Sequence, residues 1–317
     1  MKLAAHERDG SAVPALVLSM NGRKAVVDVA TALAVAGSPE DPPRSVPALL
    51  ERWSVLSGPL RKAAGMIAAG DDGGVSAVAV TDLADARLLP PVGPGQLIVC
   101  CGFNYASHET EVAGSSVGAT WFIKNANAAV GSGGPIIIPP DDSDAVDYEG
   151  ELAVVFGRPC HRVTAAEALD YVGGYTLVND VSARLHSSQQ EQSTDDIKRS
   201  VIDTHLGKQH PTFCPIGPVL VTADEIPDPS RLSFTTSVNG VVVQQARLRD
   251  MRLAIPELIE WLSAVFAFRP GDVISTGSPS GSGVSQKPPR FLKPADVVTV
   301  AAAEIGELTN PVRERTD

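Results

Sequence analysis

Val146-Asp147-Tyr148-Glu149-Gly150-Glu151-Leu152-Ala153-Val154-Val155-Phe156 reads as a β-strand that carries three carboxylates. Side chains alternate faces along a strand, so Asp147, Glu149 and Glu151 share one face, while Tyr148, Leu152, Val154 and Phe156 share the other. Three carboxylates on one face repel each other. Burying them unpaired costs several kcal/mol or forces protonation. Two readings follow from this window: a solvated face on an edge strand, or a set of hard oxygen ligands around a divalent cation. The residues on either side bear on the choice.

The chain has 317 residues, 44% of them hydrophobic and 20% charged, the profile of a soluble globular protein with a sizeable core. Its formal charge of −11, from 26 Lys and Arg against 37 Asp and Glu, argues against nucleic acid or an anionic membrane as partner. An anionic substrate remains compatible, provided the site supplies its own local cations. Cys100, Cys101, Cys160 and Cys214 form no CxxC pair and read as reduced structural thiols. The opening residues have no apolar signal-peptide core, and no window approaches about 18 apolar residues in a row. A cytoplasmic location is expected.

Upstream, two strands around the Asn21-Gly22 turn are predicted at Ala15 to Leu18 and Ala25 to Val29. Val46, Leu49, Leu50, Trp53 and Leu56 recur at helical spacing, and a second helix is expected from Leu60 to Ala69. The Pro/Gly run Leu89-Pro90-Pro91-Val92-Gly93-Pro94-Gly95 marks a boundary between a small N-terminal α+β domain, residues 1–92, and a larger domain, residues 93–317. There Leu97 to Gly102 reads as a buried strand that leads to His108 and Glu111, three apart and on one helical face. A carboxylate beside an imidazole raises its basicity, as a general base requires, although an exposed His–Glu pair looks the same in sequence.

Downstream of the carboxylates, Thr164 to Glu167 forms a capping box for a helix through Tyr171, stopped by Gly173-Gly174. Tyr175 to Arg184 is a strand with a polar end, where Asp180 suits a third metal ligand or a turn, and Arg184 a carboxylate clamp or a strand end. Residues 186–207 are polar and aperiodic, as in a lid. Asn239-Gly240 is the strongest hairpin signal, and Pro256 to Ala267 is an amphipathic helix with Leu258, Ile259, Leu262, Val265 and Phe266 as its core stripe. The loop Gly277-Ser278-Pro279-Ser280-Gly281-Ser282-Gly283 lacks the Gly-Lys-Ser/Thr of a phosphate loop and reads as one that brings backbone amides near a ligand.

Taken together and in this order, these pieces resemble the fumarylacetoacetate hydrolase family. The matching stretches are Gly102 to Glu111, Asp147 to Ala153, Gly173 to Arg184, Phe213 to Pro218, Thr276 to Pro279 and Lys287 to Pro294. The resemblance covers about residues 95–312, and the N-terminal segment is similar to the small domain of bacterial members. It implies an α+β, mostly β architecture with a mixed β-roll, a homodimer, and a divalent cation, Mg²⁺ foremost, with Mn²⁺ or Ca²⁺ as alternatives. By motif, Glu149, Glu151 and Asp180 would be the metal ligands, with Asp147 structural. His108 with Glu111 would activate water, and Lys208 would stabilise developing negative charge. Arg184, Tyr105, Lys124, Thr276 and Gly277 would contact a small anionic keto acid.

The implied reaction is hydrolysis of a C–C bond in a 2,4-diketo acid or acylpyruvate. Isomerisation or decarboxylation of a hydroxydienedioate or oxaloacetate-like acid from aromatic catabolism is the alternative, and a metal- or ligand-binding homologue without catalysis a third. Three departures from the family pattern fall near one subsite. Leu185, His186 and Ser187 follow Arg184 where an Asp and a Gln are usual, Pro211 replaces an Asp, and the stretch between Arg184 and Lys208 has an unusual composition. They raise the prospect that His186 or His210 joins the pocket.

Overall fold

The computed structural model describes residues 1–20, 22–70, 80–107, 118–140, 144–184 and 205–315. The chain opens with a meander of β1 (Lys2–Arg8), β2 (Ser11–Met20) and β3 (Arg23–Asp28). The first turn is Asp9-Gly10, both at positive φ, a hairpin signal of the same kind as Asn-Gly. Three helices follow: α1 (Val29–Val35), α2 (Val46–Glu51) and α3 (Trp53–Ala68). The expected break between the second and third falls at Arg52 rather than near Leu60, and Pro59 lies inside α3. Short strands β4 (Val80–Asp82) and β5 (Leu88–Leu89) complete this part.

The larger part contributes β6 (Ile98–Gly102), β7 (Thr120–Lys124), β8 (Ala129–Val130), β9 (Ile136–Ile138), β10 (Val146–Asp147), β11 (Gly150–Phe156), β12 (Val172–Asn179) and β13 (Ser182–Ala183). Further along come β14 (Cys214–Thr222), β15 (Ser233–Val238), β16 (Val241–Arg247), α4 (Ile255–Ser263), β17 (Val273–Ser275), β18 (Val297–Ala302) and β19 (Gly306–Glu314). The principal sheet runs β4-β3-β2-β1-β14-β12-β11-β17-β6-β7, with β5 on β1 and β8 on β14. A second sheet runs β16-β15-β18-β19-β9, and β10 pairs with β13 alone. Most pairs are antiparallel, with parallel contacts at β6–β17, β8–β14 and β9–β19, so the fold is mixed and mostly β. The principal sheet crosses the boundary expected at 92/93, because β1 pairs with β14 through Lys2–Val221 and Leu3–Leu220.

The carboxylate stretch is not one strand. β10 stops at Asp147 and β11 starts at Gly150, and the two belong to different sheets. The partner chain segment breaks at the same level, between Asn179 and Ser182. Side-chain and backbone bonds bridge the gap: the Glu149 N–H donates to Asn179 Oδ1 at 2.9 Å, and the Asp180 N–H donates to the Glu149 carbonyl at 2.8 Å. Two facing breaks therefore present Glu149 and Asp180 at one place. Beyond the break, alternation along β11 sends Leu152, Val154 and Phe156 into one core cluster and Ala153 and Val155 into another. Both faces are covered, which explains the near-continuous apolar run.

Other expectations need correction. Thr164 donates from its N–H and hydroxyl to Glu167 Oε2, at 3.2 and 2.7 Å, yet only a 3₁₀ turn forms, at Ala168–Tyr171. Gly173-Gly174 does not stop a helix but lies within β12, where a Cβ on Gly174 would fall 2.3 Å from the Val221 carbonyl oxygen. α4 ends at Ser263, so Val265 is exposed instead of joining the core stripe. The Asn239-Gly240 hairpin forms as expected, with both residues at positive φ between β15 and β16. All four cysteines are buried and free. No described helix is long and apolar enough to cross a membrane.

Candidate functional site

The paired breaks, the end of β6, β7 and the loop after β17 enclose a cavity of about 80 Å³. Its walls include Glu149, Glu151, Asp180, Arg184 and Lys208, together with Phe103, Thr120, Phe122 and Ser278. A larger groove of about 670 Å³ lies elsewhere, between Lys2, Lys24, Phe234 and Ile305, but it gathers no comparable set of buried charges. Chemistry, not size, picks out the smaller cavity.

Each carboxylate is held differently. Asp147 is fully buried and faces away from the cavity set: its oxygens accept the N–H groups of Tyr148, Gly283 and Val284 and the Arg184 Nε, at 2.6–3.1 Å. It ties the loop after β17 to the arginine, the structural role expected of it. Glu149 accepts from Arg184 at 2.7 Å and from Lys208 Nζ at 2.6 Å. Asp180 accepts from Lys208 and, on its other oxygen, from Lys124. Glu151 accepts from the Ser275 hydroxyl at 2.6 Å and the Gly277 N–H at 2.8 Å. Among the described residues it forms no ion pair.

The electrostatics follow. Burial, followed by the charge of Asp180, pushes the Glu151 carboxyl up to about 8. Burial alone would lower Lys208, but Asp180 and Glu149 outweigh it and hold the ammonium well above its ordinary value. Arg184 is raised in the same way, by Glu149 and Asp147 against burial. Among the described residues, four carboxyl groups (Asp147, Glu149, Glu151, Asp180) meet three cations (Lys124, Arg184, Lys208), so one carboxyl group has no cation of its own. That group is Glu151.

The donor set suits a hard divalent cation: three buried carboxyl groups, oxygen ligands only, and one of them without a cation of its own. As the side chains stand, no three described His, Cys, Asp or Glu groups converge tightly enough to hold a metal. The reason is visible, since the Lys208 ammonium sits between Glu149 and Asp180 and above the Phe122 ring, 4.7 Å from its centroid. Ser278 adds an orphan, a buried hydroxyl in the cavity wall with no hydrogen-bond partner among the described residues.

Four residues expected at the substrate do not line the cavity. Lys124 is buried, with its ammonium on Asp180 and on the Val181 carbonyl at 2.9 Å. Tyr105 is buried in the core, its hydroxyl without a hydrogen-bond partner among the described residues, and it forms a backbone bridge to Met251. Thr276 donates its hydroxyl to the Leu152 carbonyl at 2.9 Å. Gly277 supports Glu151 through its N–H; its φ of 98° and the closeness of Cys101 and Asn104 leave no room for a side chain. Arg184 does line the cavity, although two of its nitrogens are engaged by Asp147 and Glu149. His108, Glu111, His186 and most of the expected lid lie outside the described residues. His210 packs on Phe213, ring centroids 5.0 Å apart, and is not part of the cavity wall.

Sequence reasoning passed over Phe103, Thr120, Phe122 and Ser278. Period-two alternation could have found Phe122, which lies two residues from Lys124 on the inward face of β7. Ser278 sits beside Gly277 in the loop already singled out. Phe103, at φ 57°, carries no local signal, because its left-handed backbone is imposed by the surroundings.

Known proteins share this fold. Residues 97–313 match the family model for the fumarylacetoacetate hydrolase C-terminal domain. Among solved structures, the fumarylacetoacetate hydrolase of psychrophilic Exiguobacterium antarcticum is 30% identical, with a TM-score of 0.76 over 99% of this chain and 100% of that one. A probable 2-hydroxyhepta-2,4-diene-1,7-dioate isomerase from Mycobacterium abscessus is 28% identical, with a TM-score of 0.74 over the full length of both chains. The maleylpyruvate hydrolase of Sphingobium sp. SYK-6, in complex with manganese(II) and pyruvate, is 26% identical, with a TM-score of 0.74 and the same coverage. The chain belongs to the fumarylacetoacetate hydrolase family.

Proposed function

We propose that this chain is a divalent-cation-dependent hydrolase that cleaves the C–C bond of a 2,4-diketo acid or acylpyruvate. The observation that carries the reading is the convergence of Glu149, Glu151 and Asp180 with Lys208 and Arg184 on one small cavity. Glu149, Glu151 and Asp180 would hold the cation, Mg²⁺ or Mn²⁺, which when bound supplies Lewis-acid polarisation of a keto acid's oxygens. The manganese and pyruvate of the Sphingobium complex support that choice of ion and ligand class.

The chain's own groups divide the remaining work. A cavity of about 80 Å³ holds roughly two or three waters' worth of matter, enough for a keto-acid head but not for a whole substrate. The free edge of the Arg184 guanidinium would take the carboxylate, and the Ser278 hydroxyl would gain a partner from the head group. The acyl part then extends past Phe103 and Thr120. His108, oriented by Glu111, would take a proton from water as the water oxygen attacks the distal carbonyl. Lys208 would stabilise the oxyanion. Breaking the C–C bond leaves a carboxylic acid and sends the electron pair to the keto-acid fragment, which picks up a proton.

Pyruvate release from a panel of acylpyruvates, with and without EDTA, tests the reading. Metal-independent turnover, or no turnover of any diketo acid, rejects it. The isomerase reading is kept alive by the Mycobacterium abscessus neighbour, as similar in fold as the hydrolase. Product NMR separates the two, because isomerisation releases no second fragment. A homodimer in solution is proposed alongside, to be checked by light scattering.

A further inference from the structure

Lys208 spends its ammonium on two of the three oxygen ligands. Its Nζ lies 2.6 Å from Glu149 Oε2, bonds Asp180 Oδ2, and rests over the Phe122 ring. The backbone beside it is anchored, because the Ala183 N–H donates to the Gly207 carbonyl at 2.8 Å, and the long, flexible side chain is the part with most freedom to change place. We propose that Lys208 is an internal counter-ion that holds the cation position of the metal-free site and is expelled into the cavity when a divalent ion enters. The inference rests on the metal reading given above and concerns how that site is loaded.

Charge balance gives the device its direction. The described cluster sets four carboxyl groups against three cations, so with all of them ionised around an entered divalent ion one excess positive charge remains. In a buried site such an excess is costly until an anion arrives. The displaced ammonium, now without Glu149 and Asp180, has only the cavity to face, and a keto-acid carboxylate relieves both problems together. Metal and keto acid should therefore bind synergistically, and by linkage each strengthens the other by the same factor. Lys124 cannot play this part, since it lies outside the cavity wall and also holds the Val181 carbonyl. Removing the lysine charge removes a competitor for the metal and also the partner that the anion would meet.

Mn²⁺ titration, followed by the EPR signal of the free ion and run with and without pyruvate, tests this on wild type and on Lys208→Met. For the variant we expect Mn²⁺ binding without pyruvate to tighten by about tenfold or more. Pyruvate should tighten Mn²⁺ binding about fivefold or more in wild type and less than about twofold in the variant. Wild-type binding with a variant that binds Mn²⁺ equally or more weakly overturns the counter-ion role and leaves the metal reading standing. No Mn²⁺ binding by wild type overturns both. A variant that fails to fold is replaced by acetic anhydride labelling of wild type, read by mass spectrometry. Mn²⁺ must then raise acetylation at Lys208 and not at Lys124, and unchanged labelling overturns the proposal.

Discussion

Replacing Lys124 by Met separates two roles for one residue. As a substrate contact it would leave stability intact and weaken binding; as an internal cation it would cost stability first. The geometry favours the second role. The ammonium is fully buried, bonded to Asp180 and to the Val181 carbonyl, and absent from the cavity wall. Methionine fills a similar volume without the charge, so little is lost in packing. What is lost is one partner of a buried ion pair, for which the usual cost is about 3–5 kcal/mol. Asp180 keeps Lys208, which places the expected loss at the lower end, about 3 kcal/mol. With an m-value of about 3 kcal/mol per molar urea, the midpoint of unfolding should fall by roughly 1 M. The assay is equilibrium urea unfolding of metal-free protein, followed by tryptophan fluorescence and by circular dichroism. An unchanged midpoint combined with a raised KM would refute the reasoning and return Lys124 to the substrate.

Three further outcomes are expected. Glu151→Gln keeps an oxygen for Ser275 and Gly277 while removing the carboxyl that has no cation, so thermal stability should hold or rise while Mn²⁺ binding is lost; unchanged Mn²⁺ affinity in calorimetry would remove Glu151 from the ligand set. Gly150→Ala would place a Cβ 1.9 Å from the Thr236 hydroxyl and should cost about 1–3 kcal/mol by overpacking. Adding Thr236→Ala should recover most of that, because the hydroxyl is buried with no partner among the described residues, and additive losses in the double mutant would contradict the contact. All four thiols are buried, with Cys101 and Cys214 pushed up to about 12 and Cys160 to about 11, chiefly by burial. A chromogenic disulfide reagent at about pH 8 should therefore label none of them until the protein is unfolded.

What could be read in the sequence, and what could not, divides by the distance over which the deciding contact acts. Hairpins such as Asn239-Gly240 are settled by two residues' own backbone preferences, and Asp9-Gly10 carried the same signal unread. Gly173-Gly174 misleads because a glycine pair after an apolar run usually ends a helix. Here a neighbouring strand's backbone, Val221, forbids a side chain, and that neighbour is remote in sequence. The same limit governs the site. Alternation put Asp147 on one face with Glu149 and Glu151, but the amides that capture it, at Gly283 and Val284, lie more than a hundred residues away. The resemblance assigns Lys124 to the substrate without local support, and the partner its ammonium meets, Asp180, lies 56 residues away.

The break at Tyr148-Glu149 links these observations to function. An unbroken strand would hold Asp147, Glu149 and Glu151 on one face as three like charges. The break divides them: Asp147 goes to the loop amides and Arg184, Glu149 is shared between Arg184 and Lys208, and Glu151 is left with hydrogen bonds but no cation. The opposing break brings Asp180 beside them from β12. Local sequence thus supplies the carboxyl groups, whereas the interrupted pairing of two strands determines which of them the chain neutralises and which is left without a cation.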